Sequence, residues 1–218
     1  MEFVDIAGLV KGAHSGEGLG NKFLSHIRET QCFAHVIRCF EDTNIIHVEG
    51  KISPISDLET IDTELILSDL EIVQKRRERI FKQLRSGDKE TQSEHDLLEK
   101  LEAGLNQNIP IRNIAIEEND KEFLKQMQLV TGKPFFFIAN LHEDENKNTH
   151  LPELEDYAAK NNLSIIKVFA KAEGELVDLD EEERKEYLNL LRSFKKEIFY
   201  RIWLGTIISP DYLVYFNG

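Results

Sequence analysis

The sequence predicts an α/β fold in which helices cover a parallel sheet and an antiparallel helical hairpin is inserted. Short apolar runs rich in β-branched and aromatic residues recur along the chain, as is typical of buried strands. Amphipathic stretches separate these runs, and an alternation of strands and helices favours a parallel sheet. Between the second and third strands, a long charged region carries apolar residues at helical spacing, which predicts the hairpin.

The first elements are a strand, a glycine-rich loop, a helix and a second strand. Met1 to Ile6 is a short apolar run that predicts a buried strand. Five glycines from Gly8 to Gly20 exclude a helix or strand interior, so we expect a loop there. A helix follows from about Asn21 to Glu29, and Ala34–Phe40 has the β-branched and aromatic content of a strand.

The next region predicts two long helices joined by a short turn. Apolar residues recur every three to five positions from Asp57 to Leu84, and a second such run extends from Lys89 to Leu105. Ser86–Gly87–Asp88 breaks the pattern between them. We therefore expect an antiparallel, coiled-coil-like hairpin. It serves either as a structural arm or as a surface that binds a partner.

The rest of the chain returns to alternating helices and strands. A helix is expected near Glu118–Leu129, followed by a strand at Phe135–Ala139 that is apolar throughout. The pattern then predicts a helix at Leu151–Lys160, a strand at Ser164–Ala170 and a helix at Asp180–Lys196. The expected domains are residues 1–56 and 131–200 for the sheet and 57–130 for the hairpin, with residues 201–218 following the last predicted helix.

Composition narrows the class of protein. The net charge of −13 argues against a nonspecific nucleic-acid binder, and we expect no sequence-specific DNA binding. The two cysteines, Cys32 and Cys39, do not form the pattern of a secreted disulfide framework. No apolar run is long enough to span a bilayer, and the first residues do not resemble a signal peptide. A cytoplasmic protein without membrane contact is expected.

Three short motifs follow predicted strands. Asp5–Ile6–Ala7–Gly8 opens the glycine-rich loop, Asn140–Leu141–His142–Glu143 follows the third strand, and Ala170–Lys171–Ala172–Glu173 follows the fourth, where we expect a loop. Ligands of α/β sheets bind outside the carboxyl ends of the strands. Each motif alone is common in strand ends and turns, but the three in this order favour a nucleotide site.

Seven stretches of the sequence are distinctive: Phe3–Ala13, Gly16–Leu24, Ile27–Thr30, His35–Glu41, Asn44–Val48, Lys133–Pro134 and Ile138–Glu143. They resemble the YchF-type Obg-like ATPases, a family of P-loop NTPases with a Ras-like G-domain. The resemblance is most specific in the glycine-rich loop and its flanks, is weaker in the hairpin, and fades beyond about Arg184.

The resemblance implies roles for residues in the first part of the chain. Asp5 would hold Mg²⁺, and Gly8 would approach the γ-phosphate. Leu9 stands where Ras-like GTPases keep a glutamine that orients water, and a leucine cannot polarise water. The position of His47 has been proposed for catalysis in the family, although a lone loop histidine is more often only solvated.

Base recognition is expected at the third and fourth strands. A guanine-specific N-K-x-D tetrad is replaced here by Asn140 to Glu143, which lacks the lysine and carries a longer acid. Asn140 can still pair with the N6/N7 edge of adenine. The resemblance implies that ATP is preferred over GTP, that the backbone around Leu141 contacts the base, and that Ala170 packs on it.

A complete P-loop NTPase also needs G-x-x-x-x-G-K-[ST], which this sequence does not contain. The resemblance implies that the P-loop precedes Met1, that residues 201–218 are a truncated link to a missing TGS domain, and that the complete protein is ribosome-associated and hydrolyses ATP. Without the P-loop, hydrolysis is expected to be impaired. The alternatives are a non-hydrolysing interaction module or gene fragment acting through the hairpin, and an unrelated acidic α/β domain.

Overall fold

A computed structural model describes residues 2–6, 19–42, 53–83, 89–175, 179–183 and 213–217, with side chains within 24–42, 53–83, 91–174 and 179–183. The chain forms two compact units. The first comprises Met1–Phe33, Asp57–Pro134 and Tyr215–Gly218; the second comprises Ala34–Ser56 and Phe135–Val214. Several predicted features lie outside the described residues: residues 8–18 of the glycine-rich loop, the hairpin turn, the helix beyond residue 183, and residues 201–212 and 218 of the expected link.

The described part of the first unit contains a short first strand and most of the helices. Its elements are β1 (Glu2–Ile6), α1 (Leu19–Glu29), α2 (Pro54–Gln83), α3 (Lys89–Asn106) and α4 (Lys121–Met127). The predicted first strand, first helix and both long helices are confirmed, with ends that differ by up to three residues. The α2 helix begins at a proline, which is well suited to the first helical position because the missing N–H has no partner there.

The predicted helical hairpin is confirmed by the contacts between α2 and α3. Residues Ile66, Val73 and Ile80 of α2 repeat every seven positions and are 4%, 0% and 2% exposed. They form one buried cluster with four leucines of α3: Leu97, Leu98, Leu101 and Leu105. Gln74, early in this stretch of α2, donates to Glu102 at 3.2 Å, and Phe81, one heptad later, lies beside His95, so the two helices run in opposite directions. A heptad spacing gives this coiled-coil-like seam.

The segment between the hairpin and Pro134 is more irregular than predicted. The expected helix at Glu118–Leu129 consists of a 3-10 turn, Glu118–Asp120, and the short helix α4. The α4 helix ends because Gln128 adopts a left-handed conformation with φ of 51°, a common way for helices to stop. Two further 3-10 turns, Ile111–Asn113 and Val130–Gly132, complete the segment.

The second unit contains the parallel part of the sheet. Its elements are most of β2 (Cys32–Arg38), then β3 (Phe135–Asn140), α5 (Leu151–Lys160), β4 (Ile165–Val168), α6 (Ala170–Glu175) and the start of β5 (Leu213–Asn217). The strands lie in the order β2–β3–β4, and β3 pairs with β4 in parallel. The strand predicted at Ser164–Ala170 is shorter because α6 begins at Ala170. The strand β5 was not predicted.

The chain leaves β2 through a turn that the Arg38 side chain stabilises. The Arg38 guanidinium donates to the carbonyl oxygens of Phe40 and Asp42 at 3.0 and 3.1 Å and lies over the Phe40 ring. The strand ends at Arg38, two residues before the predicted end at Phe40. The thiol of Cys39 is buried here, and burial raises its pKa to about 12. Cys32, at the other end of β2, is half-buried and also free.

The packing of His35 agrees with its prediction from the sequence. His35 was expected to be a packed strand residue and is 2% exposed, beside the rings of Phe135 and Phe137. In the described part of the chain, no helix is both long and apolar enough to cross a membrane.

Candidate functional site

The carboxyl ends of β3 and β4 lie side by side. The register pairs Ala139 with Lys167 and Asn140 with Val168. The ladder continues one residue further, because the Leu141 N–H donates to the Val168 carbonyl oxygen at 2.8 Å. Asn140 therefore stands at the tip of its strand, directly beside the place where the chain leaves β4. This is the edge at which parallel sheets bind ligands.

The side chain of Asn140 joins the two strand ends. Its Oδ1 accepts a hydrogen bond from the Ala170 N–H at 3.3 Å, and the residue is only 3% exposed. A buried amide needs such a partner, because an unpaired polar group in the interior is costly. The structure thus brings together Asn140, Leu141 and Ala170, three of the residues that the sequence analysis predicted as one site.

The predicted loop at Ala170–Glu173 is wrong, since these residues form the first turn of α6. The helix begins directly after Phe169, whose carbonyl oxygen accepts the first helical hydrogen bond, from the Glu173 N–H at 2.9 Å. The Glu173 carboxylate reaches back to the Phe169 N–H at 3.1 Å. Burial raises the pKa of Glu173, and this hydrogen bond opposes the shift. The N–H groups at the start of a helix have no partner within the helix. Here the Phe169 N–H bonds to the Glu173 side chain, and the Ala170 N–H bonds to the Asn140 side chain.

The loop after β3 is held in one shape by Asn148. The Asn148 side chain accepts from the His142 N–H at 2.7 Å and donates to the His142 carbonyl oxygen at 2.9 Å. The His142 ring accepts from the Asp144 N–H through Nδ1 at 2.9 Å and packs edge-on against Phe40. Glu143 is exposed on this loop. A loop fixed by its own side chains presents its backbone to a ligand with little ordering cost.

The side chains of Asp5 and His47 and the backbone of Gly8 are not among the described parts of the chain. Asp5 is the last residue but one of β1, and its side chain lies outside the described ones. Gly8 and His47 also lie outside the described residues. An acidic residue near the carboxyl end of a strand suits Mg²⁺, which prefers oxygen ligands, so the backbone position of Asp5 fits the predicted metal role.

A different group of potential metal ligands occurs on α3. Among the described residues, one group of this kind was found, formed by His95, Asp96 and Glu99. Both acidic side chains are exposed on the helix surface. A cluster of this kind is common on solvated helices and has no counterpart among the predicted site residues.

Sequence reasoning missed the residues that support the site. Asn148 belongs to the polar stretch Glu143–Thr149, which carries no helix or strand pattern, and its clamp on His142 depends on the fold of the loop. Glu173 was singled out only as part of a loop. The available signal was local: asparagine and aspartate side chains often bond to backbone groups within loops.

Comparisons with known proteins agree on one family. The chain is 45% identical over 195 residues to the ribosome-binding ATPase YchF of Bacillus subtilis, covering 88% of this chain and 53% of that protein. It is 44% identical over 193 residues to the protein of the same name from Escherichia coli O157:H7, with the same two coverages. The relative in Buchnera aphidicola subsp. Schizaphis graminum is 39% identical and covers 98% of this chain and 58% of its own length.

A solved structure supports the same assignment. The Schizosaccharomyces pombe YchF GTPase matches with a TM-score of 0.71 and 34% identity, covering 86% of this chain and 52% of that one. No family model matches the chain. The match confirms the α/β fold of a P-loop NTPase. The chain spans about half the length of the curated relatives it matches, and over that span it belongs to the YchF family.

Proposed function

We propose that this chain is the base-recognition and magnesium-binding part of an Obg-like P-loop NTPase that binds ATP, and also GTP, and hydrolyses it with Mg²⁺. Its relatives are named ribosome-binding ATPases, and a structural neighbour is a YchF GTPase. The observation that carries the proposal is the hydrogen bond from the Ala170 N–H to Asn140 Oδ1, which joins the two strand ends where a base would bind.

The contacts of Asn140 decide which atoms it offers to a base. Because Oδ1 already accepts from Ala170, the Nδ2 group is the part of the amide that would donate to a ligand. It would donate to purine N7, an acceptor that adenine and guanine share. Discrimination between the two bases then falls to Leu141 and Glu143. The Leu141 N–H is bonded to Val168, which leaves its carbonyl oxygen to accept from the N6 amino group of adenine.

The roles that we propose at the phosphate end of the nucleotide rest on the resemblance to the family. Asp5 would hold Mg²⁺, which would neutralise phosphate charge when bound. Gly8 would let its N–H approach the γ-phosphate without a side chain in the way. His47 would orient the attacking water, because Leu9 cannot do so.

Nucleotide binding is tested by titrating the 218-residue chain with fluorescent analogues of ATP and GTP in the presence of Mg²⁺. We expect tighter binding of the ATP analogue and a loss of affinity of roughly tenfold for both nucleotides in Asn140→Ala. Asn106→Ala, at an exposed position of α3, is the matched control and should bind as the parent does. Glu143→Asp should shift the ratio of affinities towards GTP.

Two results would count against this proposal. If neither nucleotide binds at millimolar concentration, this polypeptide is not a nucleotide-binding protein by itself, and only the family membership stands. If Glu143→Asp leaves the ratio of affinities unchanged, the assignment of Glu143 to base recognition is wrong.

A partner-binding role of the hairpin is the second candidate. Phe81, near the end of α2, is a large apolar residue, and its exposed fraction is 65%. Among the described residues, it is the large apolar side chain that is exposed to solvent. Aromatic residues are enriched in binding surfaces. We propose that this end of the hairpin contacts the ribosome, in line with the names of the relatives. Phe81→Ser should reduce co-sedimentation with ribosomes, and Gln83→Ser on the same exposed turn should not.

A further inference from the structure

A large cavity lies within the first unit, and none of the residues predicted to bind the base lines it. Its volume is about 920 Å³, and its walls come from the end of α1, the turn Ile111–Asn113, α4 and the segment Leu129–Pro134. Small-molecule sites typically occupy about 300–1,000 Å³ and are lined mainly by apolar groups. The apolar part of this wall includes Ile114, Ile116, Leu124 and Leu129. The cavity has the size and the lining of a site for a small ligand.

The charged part of the wall is mostly positive, in a chain whose net charge is −13. Glu29 is the acidic residue of the lining, against five cations: Arg28, Arg112, Lys121, Lys125 and Lys133. Three of the cations already have carboxylate partners just outside the lining, which are Asp62 for Arg112, Glu118 for Lys121 and Glu122 for Lys125. Within the described residues, neither of the other two forms an ion pair, although the buried Asp69 carboxylate interacts electrostatically with both.

Arg28 is the cation whose hydrogen bonding is incomplete. Its Nη2 donates to the Ser68 hydroxyl, but its Nε is buried and has no hydrogen-bond partner. A buried charged donor left unpaired is costly, so an acceptor at this point would be favourable. The guanidinium can present a second N–H beside the first, which is the geometry that carboxylates and related anions accept.

Lys133 adds positive charge beside Arg28. Its Nζ donates to the carbonyl oxygens of Arg28 and Thr30, so it caps the end of α1, where a cation is favourable. Burial lowers the pKa of Lys133, with Asp69 opposing the shift and Arg28 adding to it. The capping contacts account for Lys133 as a structural residue. They leave the unpaired Arg28 Nε without an explanation.

We propose that this cavity binds a small amphipathic anion, whose acidic group accepts hydrogen bonds from Arg28 and whose apolar body lies against Ile114 and Leu124. The unpaired guanidinium donor sets the charge of the ligand, and the apolar wall sets the character of the rest. A bare sugar-phosphate would leave that wall without a complementary surface. Asn140, Leu141 and Ala170 do not line the cavity, so this site does not depend on the proposed nucleotide site.

The test compares two fluorescent probes that share an aromatic body and differ in charge. Anilinonaphthalenesulfonate is an amphipathic anion, and phenylnaphthylamine is its neutral counterpart. We expect the anion to bind the parent chain at one site and more tightly than the neutral probe. Arg28→Gln should weaken binding of the anion by roughly tenfold and leave the neutral probe nearly unaffected. Arg79→Gln, an equal change of charge at an exposed position of α2, is the matched control.

Two outcomes would overturn the proposal: equal affinity of the two probes for the parent chain, or equal loss of the anion in Arg28→Gln and Arg79→Gln. If Arg28→Gln does not fold, the parent chain decides the question through methyl NMR. Binding of the anion should then shift the methyl signals of Ile114, Ile116 and Leu124. Shifts confined to other methyl groups, such as Val73 and Leu98 of the hairpin core, would place the probe elsewhere and refute the proposed site.

Discussion

The carboxylate of Asp69 accepts two hydrogen bonds from Thr131, one from the backbone N–H and one from the hydroxyl, each 2.7 Å long. It accepts a third from the Val130 N–H at 3.0 Å. The Thr131 hydroxyl oxygen in turn accepts from the Ile111 N–H at 3.1 Å. Asp69 and Thr131 are both 0% exposed. One carboxylate in the middle of α2 thus holds the two turns that follow the hairpin.

Asp69→Ala should destabilise the fold strongly. The substitution leaves three buried donors without an acceptor, and each such group costs about 1–3 kcal/mol. We expect the free energy of unfolding to fall by ~3 kcal/mol or more, measured by urea denaturation. Glu71→Ala, two residues along the same helix but exposed, should change it by less than about 0.5 kcal/mol. A loss in Asp69→Ala no larger than in Glu71→Ala would contradict the role of this carboxylate.

Ionisation of Asp69 should make the free energy of unfolding depend on pH. Burial raises the pKa of this carboxyl above its ordinary value of 3.8, and the hydrogen bonds from Thr131 and Val130 and the charge of Arg28 only partly oppose the shift. The folded state therefore holds its proton to higher pH than the unfolded state. The contribution of Asp69 to stability is fully present below pH 3.8 and falls as pH rises through the folded pKa.

Measuring this effect requires a reference that does not titrate. We expect the difference in unfolding free energy between the parent and Asp69→Asn to decrease as pH rises from 3.8, and then to level off. A difference that increases over the same interval would show that the hydrogen bonds outweigh burial and that the pKa is lowered.

Gly104 in α3 should tolerate a side chain poorly. A Cβ at this position would clash with Cδ1 of Ile114 and lie 3.1 Å from its Cγ1. Gly104→Ala should therefore lower the free energy of unfolding by ~1 kcal/mol, despite the better helix propensity of alanine. Ile114→Val removes the Cδ1 atom and should relieve much of the loss. Additive effects in the double variant, measured by thermal unfolding, would argue against a direct clash.

Asn148→Ala should loosen the loop after β3 without touching the base-contacting residues. It removes both hydrogen bonds to the His142 backbone. We expect faster hydrogen exchange at the His142 amide and a loss of stability of about 1 kcal/mol. Asn146→Ala is the matched control, because the Asn146 side chain bonds only to the exposed Asp144. Unchanged exchange at His142 would show that other contacts fix this loop.

The sequence predicted features that depend on neighbours along the chain. The apolar run at Phe135–Ala139 ends at a polar residue, so the position of Asn140 at a strand tip followed directly. The hairpin followed from the spacing of apolar residues, because a heptad pattern specifies which face of each helix is buried. The segment that begins at Ala170 was wrongly predicted to be a loop. Its sequence, Ala-Lys-Ala-Glu, suits a loop and the start of a helix equally well. The residue at which the helix starts depends on the hydrogen bonds of Asn140 and Glu173.

Asp69 shows why other features could not be predicted. An aspartate within a charged helix is normally solvated. The sequence pattern shows only how many positions separate this aspartate from the apolar residues of the helix. Its burial depends on Thr131, which lies 62 positions further along the chain. The cavity beside Arg28 has the same origin, since its walls come from four separate segments. Local pattern carries no information about such contacts.

The environment of the two cysteines makes the chain convenient for spectroscopy. Only the thiolate reacts with maleimides and iodoacetamides, and the Cys39 thiol, buried and with a pKa of about 12, stays protonated at neutral pH. Cys32 is more accessible, although burial also raises its pKa. In the folded state a reagent should therefore modify Cys32 first, and a dye could be attached at the start of β2 without engineering the sequence. Unfolding in urea should expose the second thiol and double the labelling.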